Sequence, residues 1–551
     1  MMLRNAGLVL LALVALTFPA ELLAQDSSSP LAVSANTTGS LGNLCSSQAG
    51  ILSLLQGATG NQSAANAATV ASLNVTIPAS LSNLNATQQI AQIAWEYIYS
   101  YPLPVLAHTV ASLSGNGTAI NTFYSKSNHL SVPADNSLTP NHDTIYSQAE
   151  LDLSQGPQIV TVPKFDVPSR YWIVPFLDAY LNYYGAIGSN FNSTAGQYLV
   201  VGRSEPANAT YTNFTSDRVF HSPTDLNWII ARVLVFNDSD TPTALTFSGN
   251  ITLAPYNTAI NGSLNTTSKA AIDSRAVNGS GYSSAPGAAY GAYGNQPGFL
   301  NGFTQQPAQW FNASAIYVQT DPPANQTSNS TQAQTLTALS TAATTATGLA
   351  STAFQLGRQV ALTCILSPAA NVGLVTSTGW TFHNNSGIYG SNYLLRAQDT
   401  QNVIAALPPR QVIYFQASVD TQNRTLDAST GNNYTITFPL PLPAQAFWSL
   451  TLYNATSLNL IVNPVNRYTI NDRTSGLVYG GPNNSTLTVF ISASQPALGT
   501  AEFANWLPAP NNSAMFFLLR TYEPPAYAIS GAYSPPGFVR LAPGGTATAG
   551  K

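Results

Sequence analysis

Charge is what this sequence has least of: 22 acidic and 18 basic side chains among 551 residues, 7% in all, against roughly 25% in ordinary soluble domains. A net charge of −4 without any Lys/Arg-rich run excludes a nucleic-acid or anionic-membrane partner, since both are held by clustered cations. Two cysteines exclude a disulfide framework, and with five scattered histidines (His108, His129, His142, His221, His383) they exclude the usual structural zinc site. No metal site is assigned, and no cofactor is predicted. There is no Gly-x-Ser-x-Gly elbow, no phosphate-binding loop, no His-Glu-x-x-His and no Gly-x-Gly-x-x-Gly. No apolar run approaches the roughly 20 residues that cross a bilayer.

What is present is apolar and glycosylatable. Hydrophobic residues make up 44% of the chain, with 22 Phe and 26 Tyr, so it folds; its length predicts two or three domains. About 23 Asn-x-Ser/Thr acceptors offer another way to keep a poorly charged surface wet. Ten of them are taken as candidate glycan sites: Asn36, Asn74, Asn116, Asn192, Asn213, Asn237, Asn250, Asn433, Asn454 and Asn511. No acceptor lies between Asn116 and Asn192. The opening "MMLRNAGLVLLALVALTFPAELLAQ" reads as a signal peptide (1–24): Arg4, an apolar run from Gly7 to Ala20, then polar residues. The C-terminus lacks an apolar tail, so no lipid-linked form is expected. These features predict a soluble, secreted glycoprotein of the extracellular space or cell wall. In an oxidising compartment Cys45 and Cys364 are either one disulfide or two buried thiols, and spacing leaves both open.

A Ser/Ala/Asn-rich arm (25–88) comes first. Ile90, Ile93, Ala94, Tyr97 and Tyr101 then fall at helical spacing, stopped by Pro102 and Pro104. Beyond them short runs rich in Val, Ile, Tyr, Phe and Thr, such as "PQIVTVPKF", "RYWIVPFLDAY" and "NWIIARVLVF", predict a β-sandwich over 89–255. Residues 256–380 change composition: a Gly/Ser/Tyr-rich stretch, then a Ser/Thr/Ala segment in which Leu336, Leu339, Ala343 and Ala346 favour a helix over a mucin-like stalk. A second β-rich block (381–545) contains "FWSLTLYN", whose alternation puts Phe447, Ser449, Thr451 and Tyr453 on one face, with Trp448, Leu450 and Leu452 on the other. The expected fold is mainly β: two jelly-roll-like β-sandwich domains with a few helices, one before the first domain and one in the central linker.

The stretch "NHDTIYSQAELDLSQGPQIVTVP...RYWIVPFLDAYLNYYGAIGS...QYLVVG...IIAR" resembles the N-terminal domain of unknown function numbered 1254. "YGSNYLLRA", "FWSLTLYN", "NRYTINDRT", "NWLPAPNNSAMFFLLRTYEPP" and "SPPGFVRL" resemble its C-terminal companion, numbered 1214. The resemblance covers about half the chain and implies a double sandwich of jelly-roll type with no settled activity. The chain departs from it where relatives tend to carry an Asp-Gly-Ser turn, here "GGPNNSTLTV", in the rewritten middle segment, and in the added arm.

The family motif falls on Asn141, Asp143, Thr144, Tyr146 and Ser147, with Asp178, Tyr180 and Asn182 following. His142 and Asp143 are the candidate catalytic pair, since an imidazole beside a carboxylate can serve as general acid and base. The same residue types also build turns, their side chains bonding nearby backbone N–H groups. Asn141, Thr144, Tyr146, Asp178, Tyr180, Asn182, Arg467, Tyr468, Trp506 and Arg520 are candidate ligand-binding residues, with Arg467 as an anion clamp and Trp506 as a sugar platform or a sandwich corner. Asp143 or Asp178 paired with Arg467 or Arg520 would form a structural latch. A calcium or magnesium site of oxygen ligands from Asp143, Asp178 and Asn182 stays open. The functional expectation is an extracellular or cell-wall binding and assembly protein, able to form homo-oligomers through sheet edges, with a small-molecule or glycan ligand. The alternative is a hydrolase or lyase on a polar small molecule or glycan.

Overall fold

The computed structural model describes residues 41–56, 84, 86–106, 120–125, 129–135, 139–164, 167, 169–206, 209–211, 213–256, 307–324, 330–346, 349–367 and 370–541. The signal peptide, the acceptors Asn36, Asn74 and Asn116, and the Gly/Ser/Tyr-rich stretch from 257 to 306 lie outside them.

The first β unit contains β1 (Tyr124–Ser125), β2 (Thr144–Asp152), β3 (Gln158–Val162), β4 (Trp172–Asp178), β5 (Tyr183–Gly188), β6 (Gly196–Val201), β7 (Val219–His221), β8 (Leu226–Leu234) and β9 (Thr252–Pro255). They form a five-stranded sheet, β1-β2-β8-β4-β5, and a four-stranded sheet, β7-β6-β3-β9. Ile145, Ala149 and Leu151 of β2, Ile229, Ala231 and Val233 of β8, and Trp172, Val174 and Phe176 of β4 share one core with Val160, Tyr198 and Val200 of the smaller sheet. Alternation does this: side chains two apart along a strand point to the same face. The other face of β2 carries Thr144, Tyr146, Gln148 and Glu150, a pattern that reads as solvent-facing. Yet Thr144, Gln148 and Glu150 are buried, because this face is covered by helices at one end and by the second β unit at the other.

The second unit has β10 (Leu374–Val375), β11 (Thr381–Phe382), β12 (Val412–Ala417), β13 (Tyr434–Pro439), β14 (Trp448–Asn454), β15 (Thr469–Asn471), β16 (Thr486–Ser492), β17 (Trp506–Pro508), β18 (Met515–Tyr522) and β19 (Val539–Arg540). A six-stranded sheet, β10-β11-β12-β18-β14-β15, faces a four-stranded one, β17-β16-β13-β19. Between them pack Ile413, Phe415, Leu450, Leu452, Phe517 and Leu519 from the first, and Ile436, Phe438, Leu487, Val489 and Ile491 from the second. The outward face of the larger sheet is polar and aromatic, with Tyr414, Arg520, Ser449 and Asn471 in one row across four strands.

The helices are more numerous than one before the first unit and one in a linker. Those longer than one turn are α1 (Leu41–Cys45), α2 (Gln48–Gln56), α3 (Ala86–Ser100), α4 (Thr241–Gly249), α5 (Pro307–Thr320), α6 (Thr331–Thr345), α7 (Leu349–Leu366) and α8 (Tyr393–Asn402), with single turns at Ala501–Ala504 and Ala526–Ile529 in the second unit. Most of them form a layer whose core joins Ile90, Ile93, Ala94 and Tyr97 of α3 to Trp310, Phe311, Leu336, Leu339 and Phe354, and to Leu226, Trp228 and Ile230 on the outer face of β8. The middle of the chain is therefore load shared with the first sheet, since the stripe of each helix finds an apolar counterpart there. Gly357 lets α7 cross α3 closely: a Cβ there would lie 2.5 Å from Ile93 Cγ2. A disulfide joins Cys45 to Cys364, tying α1 to α7.

Within this layer Glu96 is buried, accepting from Gln92 Nε2 at 2.6 Å and from Gln332. Burial pushes its carboxyl up to about 8, against the two hydrogen bonds that favour ionisation. The unfolded chain releases this proton near pH 4.5 and the folded chain holds it, so stability falls as pH rises between those values and levels off above pH 8. Glu96→Gln is expected to remove that slope, worth on the order of a few kcal/mol. Urea midpoints of both proteins at pH 5 and pH 8 check this, and parallel pH dependences would contradict it.

Candidate functional site

The two β units meet along their larger sheets. An apolar seam brings Tyr171, Ile173, Tyr183, Ala186 and Leu234 of the first against Leu407, Val412, Phe447 and Tyr522 of the second. Phe447 and Tyr522 stack at 3.8 Å, with the Tyr171 ring edge-on to both.

Beside it, residues 139–143 run as a strap over the polar face of the six-stranded sheet. The Thr139 N–H donates to the Leu458 carbonyl at 2.7 Å, and the Thr139 carbonyl accepts from Arg520 Nη2 at 3.2 Å. Tyr453 donates its hydroxyl to the Pro140 carbonyl at 2.7 Å. Asn141 closes a turn by accepting the Asp143 N–H on Oδ1 at 2.7 Å, while its Nδ2 donates to the Tyr522 hydroxyl at 2.7 Å. Asp143, 1% exposed, accepts from Arg473 Nη2 at 2.6 Å and from Asn471 Nδ2 at 3.2 Å on the same oxygen, Oδ1. Arg473 also lies over the Phe447 ring at 4.8 Å and reaches Asp472 at 2.5 Å. Asn, Asp and Thr at these positions thus form a turn, and the turn's outward groups are read by the opposite unit.

His142 donates Nδ1–H to the Ser131 carbonyl at 2.6 Å and meets the Tyr468 ring edge-on at 5.0 Å. A carbonyl can only accept, so Nδ1 carries a proton. Burial pushes the hydroxyls of Tyr171, Tyr453 and Tyr522 up from their usual value, so they stay protonated.

The expected latch partners are corrected by these contacts. Asp143 pairs with Arg473, not with Arg467 or Arg520. Arg520 donates to Thr451 Oγ1 at 3.2 Å and to the Thr139 carbonyl. Arg467 donates Nη1–H to the carbonyls of Phe503, Ala504 and Trp506 at 3.2, 2.9 and 3.0 Å, a brace inside the second unit, where burial holds its guanidinium below the ordinary value. Trp506 is 1% exposed and donates Nε1–H to the Ser492 carbonyl at 3.0 Å; its faces are covered, so it is a sandwich corner and presents no platform to a sugar.

Asp178, Tyr180 and Asn182 sit apart from the strap, in the tight turn between β4 and β5. Asp178 Oδ1 accepts the backbone N–H groups of Tyr180 and Asn182 at 2.9 and 2.8 Å, and Asn182 Nδ2 donates to Oδ2 at 3.0 Å. Burial raises the Asp178 carboxyl, opposed by those bonds from Asn182. Tyr180 donates to the Asp321 carbonyl at 3.1 Å under the Arg396 guanidinium. Asp143 and Asp178 lie at opposite ends of β8, Asp143 beside Val235 and Asp178 opposite Asn227, so the structure does not bring Asp143 together with Asp178 and Asn182. Among the described residues no three His, Cys, Asp or Glu side chains converge as metal ligands do.

Asn192, Asn213, Asn237, Asn250 and Asn511 are exposed, and Asn433 and Asn454 half-buried. Sequence reasoning passed over Arg232, Tyr171, Tyr414, Asn471 and Tyr522, all of which line the seam. Arg232 carried a signal: a lone charge at an alternate position of the apolar strand "NWIIARVL". No helix among the described residues is long and apolar enough to cross a membrane.

The architecture is that of a two-unit β-rich protein with a helical layer on the first unit. Residues 120–255 match the family model described as Protein of unknown function (DUF1254), and residues 411–526 match Protein of unknown function (DUF1214). The two matches follow one another in that order along the chain. No curated protein matches. Among solved structures, the VPA0106 protein from Vibrio parahaemolyticus is similar at 19% identity and a TM-score of 0.52, over 82% of this chain and all of that one; this likeness is one of fold. A putative uncharacterized protein from Burkholderia cenocepacia aligns over 82% of this chain and 93% of its own at 12% identity and a TM-score of 0.38.

Proposed function

We propose that this chain is a secreted glycoprotein of the extracellular space or cell wall that works as a binding and assembly protein, its two jelly-roll-type sandwiches locked along a polar seam. One observation carries the reading: Pro140 of the strap and the motif residues Asn141 and Asp143 direct their polar groups at Tyr453, Tyr522, Asn471 and Arg473. A carboxylate in an ion pair and an amide in a turn hold domains together, whereas general acid–base work asks for a group within reach of a substrate proton. The exposed acceptors Asn192, Asn213, Asn237, Asn250 and Asn511 fit a glycan-coated surface. Leu374 and Val375, exposed on the sheet-edge strand β10, fit assembly through an edge.

The test is co-sedimentation of the secreted protein with insoluble cell-wall polysaccharide, together with light scattering and mass analysis before and after enzymatic deglycosylation. Retention on the wall material, or a defined oligomer, with sugar mass on the exposed acceptors is expected. An unmodified monomer that stays in the supernatant would discard the reading. A hydrolase or lyase is the second reading, favoured by Asp143 Oδ2, which is buried without a hydrogen-bond partner, beside His142. It predicts that Asp143→Asn abolishes turnover of a polar substrate while leaving the melting temperature unchanged.

A further inference from the structure

Arg232 is the feature of the seam that the latch does not explain. It lies on β8 directly opposite Tyr146 of β2 and is 5% exposed. Its Nη2 donates to the Ala405 carbonyl at 2.8 Å, its Nη1 to the Tyr414 hydroxyl at 3.3 Å, and its guanidinium lies over the Tyr146 ring at 5.5 Å. All of these partners are neutral. Nε has no partner, and among the described residues no carboxylate hydrogen-bonds or ion-pairs with it. Arg170, Arg424 and Arg473 are ion-paired with Asp240, Asp420 and Asp143; Arg396 and Arg520, equally buried and without an ion pair among the described residues, still lie within electrostatic reach of Asp178 and Asp143, whereas the groups that act on Arg232 are tyrosines. A buried cation without a counter-charge is costly, and buried polar atoms left without partners add to that cost. One such atom stands beside this cation, the Tyr171 hydroxyl, close enough to interact electrostatically with Arg232 and Tyr414; Thr144 Oγ1, two residues from Tyr146 on β2, and Ser449 Oγ, two strands from Tyr414, are others farther along the seam. Each can donate a hydrogen bond.

We propose that the seam is a binding site for a small carboxylate, with Arg232 Nε–H and the Tyr171 hydroxyl as its donors. The inference rests on the binding reading above and adds to it the chemical class of the ligand. One uncompensated guanidinium calls for one negative charge. A carboxylate supplies it on two oxygens, so that a guanidinium N–H and a phenol can be answered together. The carboxylate is that of a free organic acid or of an acidic sugar unit, and the two sources are separable by titration.

The experiment is calorimetric titration of the intact secreted protein with sodium acetate and with sodium glucuronate at constant ionic strength, with sodium chloride and sodium sulfate as controls. Saturable binding of at least one carboxylate is expected, acetate alone or both pointing to a general carboxylate site and glucuronate alone to an acidic sugar. Tyr171→Phe should weaken it by about tenfold or more, the lower end of what one hydrogen bond to a charged group is worth. Arg232→Met should abolish it, and Arg424→Met should leave it unchanged. Should Arg232→Met fail to fold, Tyr171→Phe decides. No saturable binding, an equal response to chloride, or binding indifferent to Tyr171→Phe would overturn the site. A failed titration with wall co-sedimentation intact discards the carboxylate site alone, while a working titration without co-sedimentation discards the wall-binding role alone.

Discussion

Asp143→Asn is expected to lower the stability of the folded protein by about 3 kcal/mol, the lower end of what removal of one partner from a buried ion pair costs. The carboxylate is 1% exposed and accepts from both Arg473 and Asn471. An asparagine of the same shape can turn one oxygen toward them, but its amide then occupies the place of Oδ2, which has no hydrogen-bond partner, so a buried donor is left unsatisfied. The Arg473 cation keeps Asp472 at 2.5 Å, which is why the lower end is expected. Urea unfolding measures it. The midpoint should fall, and the transition should broaden or split, since the pair joins residues from the two β units. Arg473→Met should act in the same direction, and the double variant should cost less than the sum, because both substitutions remove one interaction. Unchanged midpoints in Asp143→Asn would sink the latch, and with it the main argument against acid–base chemistry at this residue.

Cys364→Ala carries the other large effect. The disulfide spans 319 residues of sequence, and closing so long a loop restricts the unfolded chain by about 6 kcal/mol in the chain-entropy picture, with measured cases more often at roughly 2–4. Both cysteines are fully buried, so reductant should act slowly on the folded protein. The expected result is a urea midpoint lowered by the equivalent of about 2–5 kcal/mol together with early proteolysis of α1 and α2, whose covalent tie to α7 is gone. Alanine is preferred to serine because it adds no buried hydroxyl. A variant within about 0.5 kcal/mol of the parent, the usual range for a substitution of little structural consequence, would show that packing of α2 on α3 suffices without the bond.

Both effects lie where local pattern and long-range partner meet. The alternation of "FWSLTLYN" shows that Leu450 and Leu452 share a face, and they do enter one core. The spacing of Ile90, Ile93, Ala94 and Tyr97 shows a helix, found at Ala86–Ser100. The small-residue segment after residue 330 is helical, as its period suggests, but as two helices inside a layer. Periodicity reports that a stripe exists and is silent about what covers it, so this region reads as a linker until Trp228 and Ile230 are seen against it. The paired family domains at 120–255 and 411–526 were legible from motif residues alone.

The candidate site was legible in half. "NHD" marked the strap because turn chemistry and scarce charge coincide there. Which arginine answers Asp143 was not readable, since Arg467, Arg473 and Arg520 are equivalent as sequence and differ only in where the folded backbone directs each side chain: Arg520 lies on β18, while Arg467 and Arg473 lie on the segments either side of β15. Arg467 turns to carbonyls of its own unit, while Arg473 reaches across.

By itself the sequence determined the local terms: which segments alternate, which repeat at helical spacing, and where turns, caps and acceptors fall, because each depends on neighbours a few residues away. Only the tertiary structure decided that the polar faces of two sheets are buried against each other, that Cys45 reaches Cys364, and that Arg232 stands in the seam without a counter-charge. Those outcomes depend on pairs separated by hundreds of residues, which meet only when the sheets and helices have packed.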